Sequence, residues 1–183
     1  MESLSTVRLD LAAAAQILYV DAYAICWQAS IRAIDFAIQM GVPVFVNLGD
    51  DAPGDELIRC LRQGVSIVQT SAEGHSIEQA KELAQTHLQS YGASLSVVTM
   101  GKTGVSYAAR TGTFHLPAHT VRVVNTVGAG SAFSAGLIFG RLQSWSSEEA
   151  MVFANALAAL HCSVQNGVGR FSPEEVLEFA RFE

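Results

Sequence analysis

Short apolar runs alternate along this chain with longer segments whose apolar positions recur at helical spacing. "QILYV" (16–20), "PVFVN" (43–47), "VSIV" (65–68) and "LSVVTM" (95–100) are near-continuous runs of strand length, the pattern of strands buried on both faces. Between them, residues 28–40, 53–63 and 76–90 predict helices, and Ser76 with Gln79 makes a capping pair ahead of the third. This βαβα order predicts an α/β fold, a mainly parallel sheet with helices on both faces in a Rossmann-like three-layer core. Past Met100 the pattern shortens. "GVSYAAR", "TGTFHLP" and "TVRVVN", separated by Gly and Pro, predict hairpin strands. Two apolar helices are predicted at 129–143 and 147–164. A short one at 173–181 would be capped by Ser172, with Pro173 at its first position and Glu174 and Glu175 in its first turn. No repeat, low-complexity tract or linker divides the chain, which predicts one domain over 1–183.

Composition adds two readings to this picture. Hydrophobic residues make up 50% of the 183 and charged residues 15%, against a usual charged share of about 25%. Either the α/β core is large, or part of the surface is apolar and built for a partner or for self-association; homo-oligomerisation is the expectation. The net charge of -6 speaks against a nucleic-acid partner, which needs clustered Lys and Arg. Cys26, Cys60 and Cys162 are odd in number and widely spaced, with no CxxC pair, so free thiols in a reducing cytoplasm are predicted. The N-terminal stretch, with Glu2, Arg8 and Asp10, does not read as a signal peptide. The uncharged run 123–140 has the length of a membrane span, but its Asn125, glycines and serines predict a loop–helix junction and no membrane partner.

That junction is the centre of the candidate chemistry. Gly128-Ala129-Gly130 stands between a predicted strand, "VRVV", and an apolar helix. Helix N-termini present unpaired N–H groups and partial positive charge, and glycines there let an anion approach the backbone. A tight turn is the alternative. Two other phosphate motifs fail: the dinucleotide fingerprint would need glycine where Phe133 stands, and "GKT" (101–103) has Ser96 where a P-loop needs its first glycine. Gly136 and Gly140, four apart, predict close helix packing. Ser131 does not fit a nucleophile elbow, since position 133 is not glycine, and no base among His75, His115, His119 or His161 is placed beside it by sequence. His115 and His119 flank Pro117 in a strand-like pattern, against a helical metal pair. The acids of "DDAPGDE" (50–56) read as a solvated loop entering a helix. Lys102 has two readings, a phosphate contact or a solvated side chain.

With these residues in place, the chain resembles the ribokinase-like sugar kinases, also called the phosphofructokinase B type. The family signature reads Asp-Thr-Thr-Gly-Ala-Gly-Asp-x-Phe-x-x-Gly; here Thr126, Gly128, Ala129, Gly130, Phe133 and Gly136 match. "VVTMGKTG" resembles the family's nucleotide loop through Thr99, Gly101 and Gly104. "FANALAAL" (153–160) resembles its adenine-side helix, with Asn155, and "NGVGRFSPEEVLEF" resembles its closing Gly-rich loop and last helix. The resemblance implies ATP-dependent phosphorylation of a sugar or related alcohol. Gly128, Ala129 and Gly130 would form the anion hole for the transferring phosphoryl group, and Thr99, Gly101, Gly104 and Asn155 would bind nucleotide.

Three departures change what the resemblance implies. The family's catalytic aspartate position is Ser131, and a serine hydroxyl is a poor proton acceptor near neutral pH. The family's magnesium-organising Asn-x-x-Glu falls on Ser71 and Gly74, with Glu73 one residue off, and Asn125 replaces the signature's first Asp. "AAAAQILYVDAY" resembles a segment from the middle of family members, so the N-terminal acceptor and lid portion is expected to be missing. Together these predict a kinase-like protein that retains ATP or ADP, with magnesium possible but no metal-binding residues assigned, and weak or no phosphotransfer. Two alternatives stay open: a non-catalytic oligomeric interaction module, and an active sugar kinase using another base.

Overall fold

The structure is a computed structural model that describes residues 9–165 and 171–181. By contact density the chain forms two compact units, one of residues up to Met100 with Ser106–Phe114, the other of Gly101–Val105 with the residues from His115 onward.

The first unit opens with a short helix, α1 (Leu9–Ala13), and then alternates β1 (Leu18–Asp21), α2 (Trp27–Gln39), β2 (Val44–Asn47), α3 (Asp55–Leu61), β3 (Ile67–Ser71), α4 (Ile77–Tyr91) and β4 (Leu95–Thr99). In β2, β3 and β4 nearly every residue is buried, as all four of β2 are, whereas β1 buries only Val20. The four strands pair in parallel and in sequence order, with Val46 opposite Val68 and Thr70 opposite Val98. Right-handed crossovers between strands laid down in order put α2, α3 and α4 on one face. Ile31, Ile34, Leu57 and Leu61 pack there on Val44, Val46 and Val68, and Ala80 and Ala84 pack on Val98. Phe45, Ile67 and Val97 point to the other face and are equally buried. Ser76 and Gln79 cap α4 reciprocally, and Gly92 ends it in the left-handed conformation.

β5 (Val105–Ala109) and β6 (Gly112–Leu116) complete a sheet ordered β1-β2-β3-β4-β5-β6. The third predicted hairpin strand, "TVRVVN", does not form. Residues 117–128 run without strand pairing, Val123 and Val124 are exposed, and the N–H groups of Val124 and Asn125 both donate to the Cys162 carbonyl. Alternation alone does not make a strand when the backbone donors are taken by a helix end.

The second unit is built on α5 (Ala129–Leu142), α6 (Ser147–Cys162) and α7 (Pro173–Arg181). Gly136 and Gly140 face α6 so closely that a Cβ would fall 2.8 Å from Ala154 Cα and 2.6 Å from Ala150 Cβ. Phe139 stacks on Phe153 beside this contact, Trp145 meets both in T-shaped pairs, and Val176 of α7 closes the cluster. Ser146 with Glu149 forms a capping box on α6 that the sequence reading did not name, and Ser172 caps α7 through Glu175 N–H as predicted. The predicted closing loop "NGVGR" (166–170) lies outside the described residues. The three cysteines are free thiols, and no helix among the described residues is long and apolar enough to cross a membrane.

Candidate functional site

The Gly-Ala-Gly turn sits at the start of α5. Gly128 is the N-cap, at φ +85° and ψ 2°, a left-handed conformation that costs a non-glycine residue about 1–2 kcal/mol. The first α-type bond runs from Ala132 N–H to the Gly128 carbonyl, while Ala129 N–H turns back to Thr126 O. The two glycines have different reasons. A Cβ at Gly128 would meet the His161 ring at 3.2 Å, whereas a Cβ at Gly130 would find nothing within 4 Å. Among the described residues nothing crowds a Cβ at the second glycine, which lies at the electropositive end of a fourteen-residue helix. Ser131 follows, with its side chain exposed, and Ser134 Oγ donates to the Gly130 carbonyl at 3.0 Å.

The second glycine-rich segment is a single 3-10 turn, Gly101–Thr103, closed by Gly104. Gly101 has φ +57° and Gly104 φ +105°. A Cβ at Gly104 would lie 2.1 Å from Leu116 O and 2.6 Å from Ala118 N, so this glycine is required by the chain's own backbone. Asn155 belongs to the same neighbourhood: its Nδ2 donates to Pro117 O at 2.8 Å, and the residue is buried. Gly104 and Asn155 thus both fix residues 116–118. Lys102 is exposed.

In the first unit the parallel strands end in a row of polar residues at the sheet's carboxyl edge, the side on which open α/β sheets bind ligands. Asp21 lies opposite Asn47, and Ser71 opposite Thr99. Thr99 Oγ1 is 3.2 Å from Ser71 Oγ and donates to Thr70 O, so its hydroxyl is held by β3. No motif in the sequence marks the other pair. Tyr19 Oη donates to Asp21 Oδ1 at 2.7 Å, Asn47 Nδ2 donates to the same oxygen at 2.9 Å, and Gly49 N–H donates to Asn47 Oδ1. Burial, and then the Asp21 charge, push the neighbouring Tyr23 hydroxyl above its usual pKa. The available signal is an acid directly after the first predicted strand and an amide ending the second.

The pfkB carbohydrate kinase family model matches residues 5–173. The chain belongs to this family. Similarity to individual relatives agrees with that. The chain is 35% identical over 99 residues to 1-phosphofructokinase of Vibrio cholerae, an overlap of 54% of this chain and 29% of that protein. The structure aligns with 2-dehydro-3-deoxygluconokinase of Thermotoga maritima at a TM-score of 0.79 and 16% identity, covering 93% of this chain and 61% of that one. It aligns with Arabidopsis thaliana ribokinase, solved with ribose and ATP, at 0.71 and 20%, covering 96% and 59%. The two structural likenesses establish the ribokinase-like fold. The chain spans less than a third of the curated relative's length and about three fifths of the solved ones.

The turn carries Gly128, Ala129 and Gly130 at the start of α5, and Ser131, at the position where the resemblance implies an aspartate, is exposed. Asn125, where the resemblance implies the signature's first aspartate, is spent inside the loop: its Oδ1 accepts from Val127 N–H at 3.0 Å and its Nδ2 donates to Gln165 O at 3.4 Å. Ser71 is paired with Thr99, Gly74 occupies a left-handed turn at φ +88°, and Glu73 is exposed. Among the described residues no three His, Cys, Asp or Glu side chains converge as a metal cage requires. His115 lies in β6, His119 packs against Phe179, and Asp55 and Glu56 sit in the first turn of α3.

Proposed function

We propose that this pfkB-family chain binds ATP or ADP through the second unit and transfers phosphate weakly or not at all. The observation that carries the reading is the turn at the start of α5: Gly128 in the left-handed conformation and room for a Cβ at Gly130 among the described residues, on the segment that resembles the family's Gly-Ala-Gly signature. A terminal phosphate approaching Gly130 would meet first-turn N–H groups and the positive end of α5. The Gly101–Gly104 turn and the segment fixed by Asn155 would form the remaining wall. Ser131 would donate or accept a hydrogen bond to the anion without removing a proton from an acceptor alcohol. ATP would supply the phosphoryl group, and magnesium would be carried on its phosphates. Calorimetric titration of ATP and ADP, with and without magnesium, tests this. Binding at about millimolar affinity or tighter, with thermal stabilisation, supports it, and no heat together with no stabilisation rejects it.

One observation favours a second reading, an oligomeric interaction module. Val123, Val124 and Val127 are 60%, 50% and 78% exposed in a short apolar stretch beside the turn. Light scattering across concentrations separates the two: a monomer throughout removes the self-association reading.

A further inference from the structure

The phosphate turn is held from behind by the end of α6, and one side chain there acts on the turn directly. His161 is buried, and its Nε2 lies 2.8 Å from Val127 O. A carbonyl only accepts, so Nε2 carries the proton and donates. The same ring closes the space behind Gly128, 3.2 Å (Nε2) and 3.4 Å (Cε1) from where a Cβ would stand. The ring therefore both pins the Val127 carbonyl and abuts the next Cα.

Pinning that carbonyl sets more than one atom. The peptide between Val127 and Gly128 is planar and trans, so its N–H points opposite its C=O. Fixing Val127 O on His161 therefore aims Gly128 N–H away from α6. The left-handed Gly128 then starts α5, so the peptide's tilt fixes how the first N–H groups of the helix are presented. Asn125 reinforces the hold by accepting from Val127 N–H and donating to Gln165 O, while Cys162 O accepts from Val124 and Asn125 N–H. The bridge to Gln165 needs an amide, because a carboxylate has no proton for that carbonyl.

We infer that His161 is a positioning residue for the Gly128–Gly130 anion turn, setting the direction of its N–H groups through the Val127 carbonyl. The inference rests on the proposed nucleotide reading of that turn.

The test compares wild type, His161→Ala, His161→Gln and Asn125→Asp in two measurements: titration with ADP and with inorganic tripolyphosphate, and amide hydrogen exchange at residues 127–131. Gln restores a donor at similar reach. The expected result is at least tenfold weaker binding of both anions and at least tenfold faster exchange for His161→Ala, with His161→Gln within about threefold of wild type. Asn125→Asp should shift the same way by less. Unchanged binding in His161→Ala, or a loss that His161→Gln shares in full, overturns the inference. Wild-type protein that binds neither anion rejects the nucleotide reading; exchange then decides the positioning role alone, and equal rates in all four proteins overturn it. If His161→Ala does not fold, the Gln and Asp variants decide by the same two readouts.

Discussion

Gly104 and Gly130 are both glycines of predicted nucleotide-binding loops, and their surroundings are opposite. Gly104 is pressed against the backbone of Leu116–Ala118 at φ +105°, with no room for a methyl group. Gly130 has an ordinary φ and open space where a side chain would stand. One glycine is kept by the fold. At the other, no atom among the described residues crowds the place of a side chain, and the proposed use of that room is ligand approach. A sequence motif cannot distinguish these two reasons, and a Cβ placed on each backbone can.

The strongest challenge to this contrast is Gly104→Ala. Backbone strain and a Cβ 2.1 Å from a carbonyl oxygen should cost about 3 kcal/mol or more, read as a large drop in Tm. A Tm near wild type would show that residues 116–118 yield easily and that the contrast is false.

The second prediction concerns the residue after the open glycine. Ser131→Asp restores a proton acceptor and should raise ATP turnover by about 10²-fold, the low end of what a general base supplies. Equal and robust turnover in both proteins would mean that another group already acts as base.

Gly130→Val comes third and sharpens the comparison from the other side. Its Tm should move by no more than about 1 kcal/mol equivalent, while ADP affinity falls at least tenfold. A large loss of stability would place Gly130 in the same class as Gly104.

The smallest effect expected is a pH response at the α6 capping box, remote from both loops in sequence. Hydrogen bonding from Ser146 holds the Glu149 carboxyl below its usual value. A depressed carboxylate contributes stability above the unfolded value near 4.5 that is lost as pH falls through the lower folded value. Acid titration of Tm should therefore flatten slightly below pH 4.5 in Glu149→Gln relative to wild type, and identical profiles would remove the box as a contributor.

Much of the first unit was legible because its signals are local. Each strand of β1–β4 is a short apolar run bounded by turn residues, and α4 announces itself through Ser76 and Gln79. The signature turn was legible as a string, and the structure adds that its preceding residues do not form a strand. "TVRVVN" misleads because Val alternation carries no information about where Val124 and Asn125 N–H will find an acceptor, and Cys162 lies far along the chain. The Asp21–Asn47 bond joins residues 26 apart through parallel register, which propensity does not encode. Asn125 was read as a lost carboxylate, but its amide is used at both ends. His161 was weighed only as a base for Ser131, and nothing in the sequence marks it as the residue behind Gly128.

The strict sequence order of β1 to β4 has a consequence for how this protein is made. Each strand needs only the one synthesised before it as a template, and each crossover helix covers ground already laid. Loop-closure entropy rises only slowly with length, so each one-helix crossover adds a similar cost. Among the described residues, each parallel strand thus pairs with the one synthesised before it, across a crossover that spans a single helix.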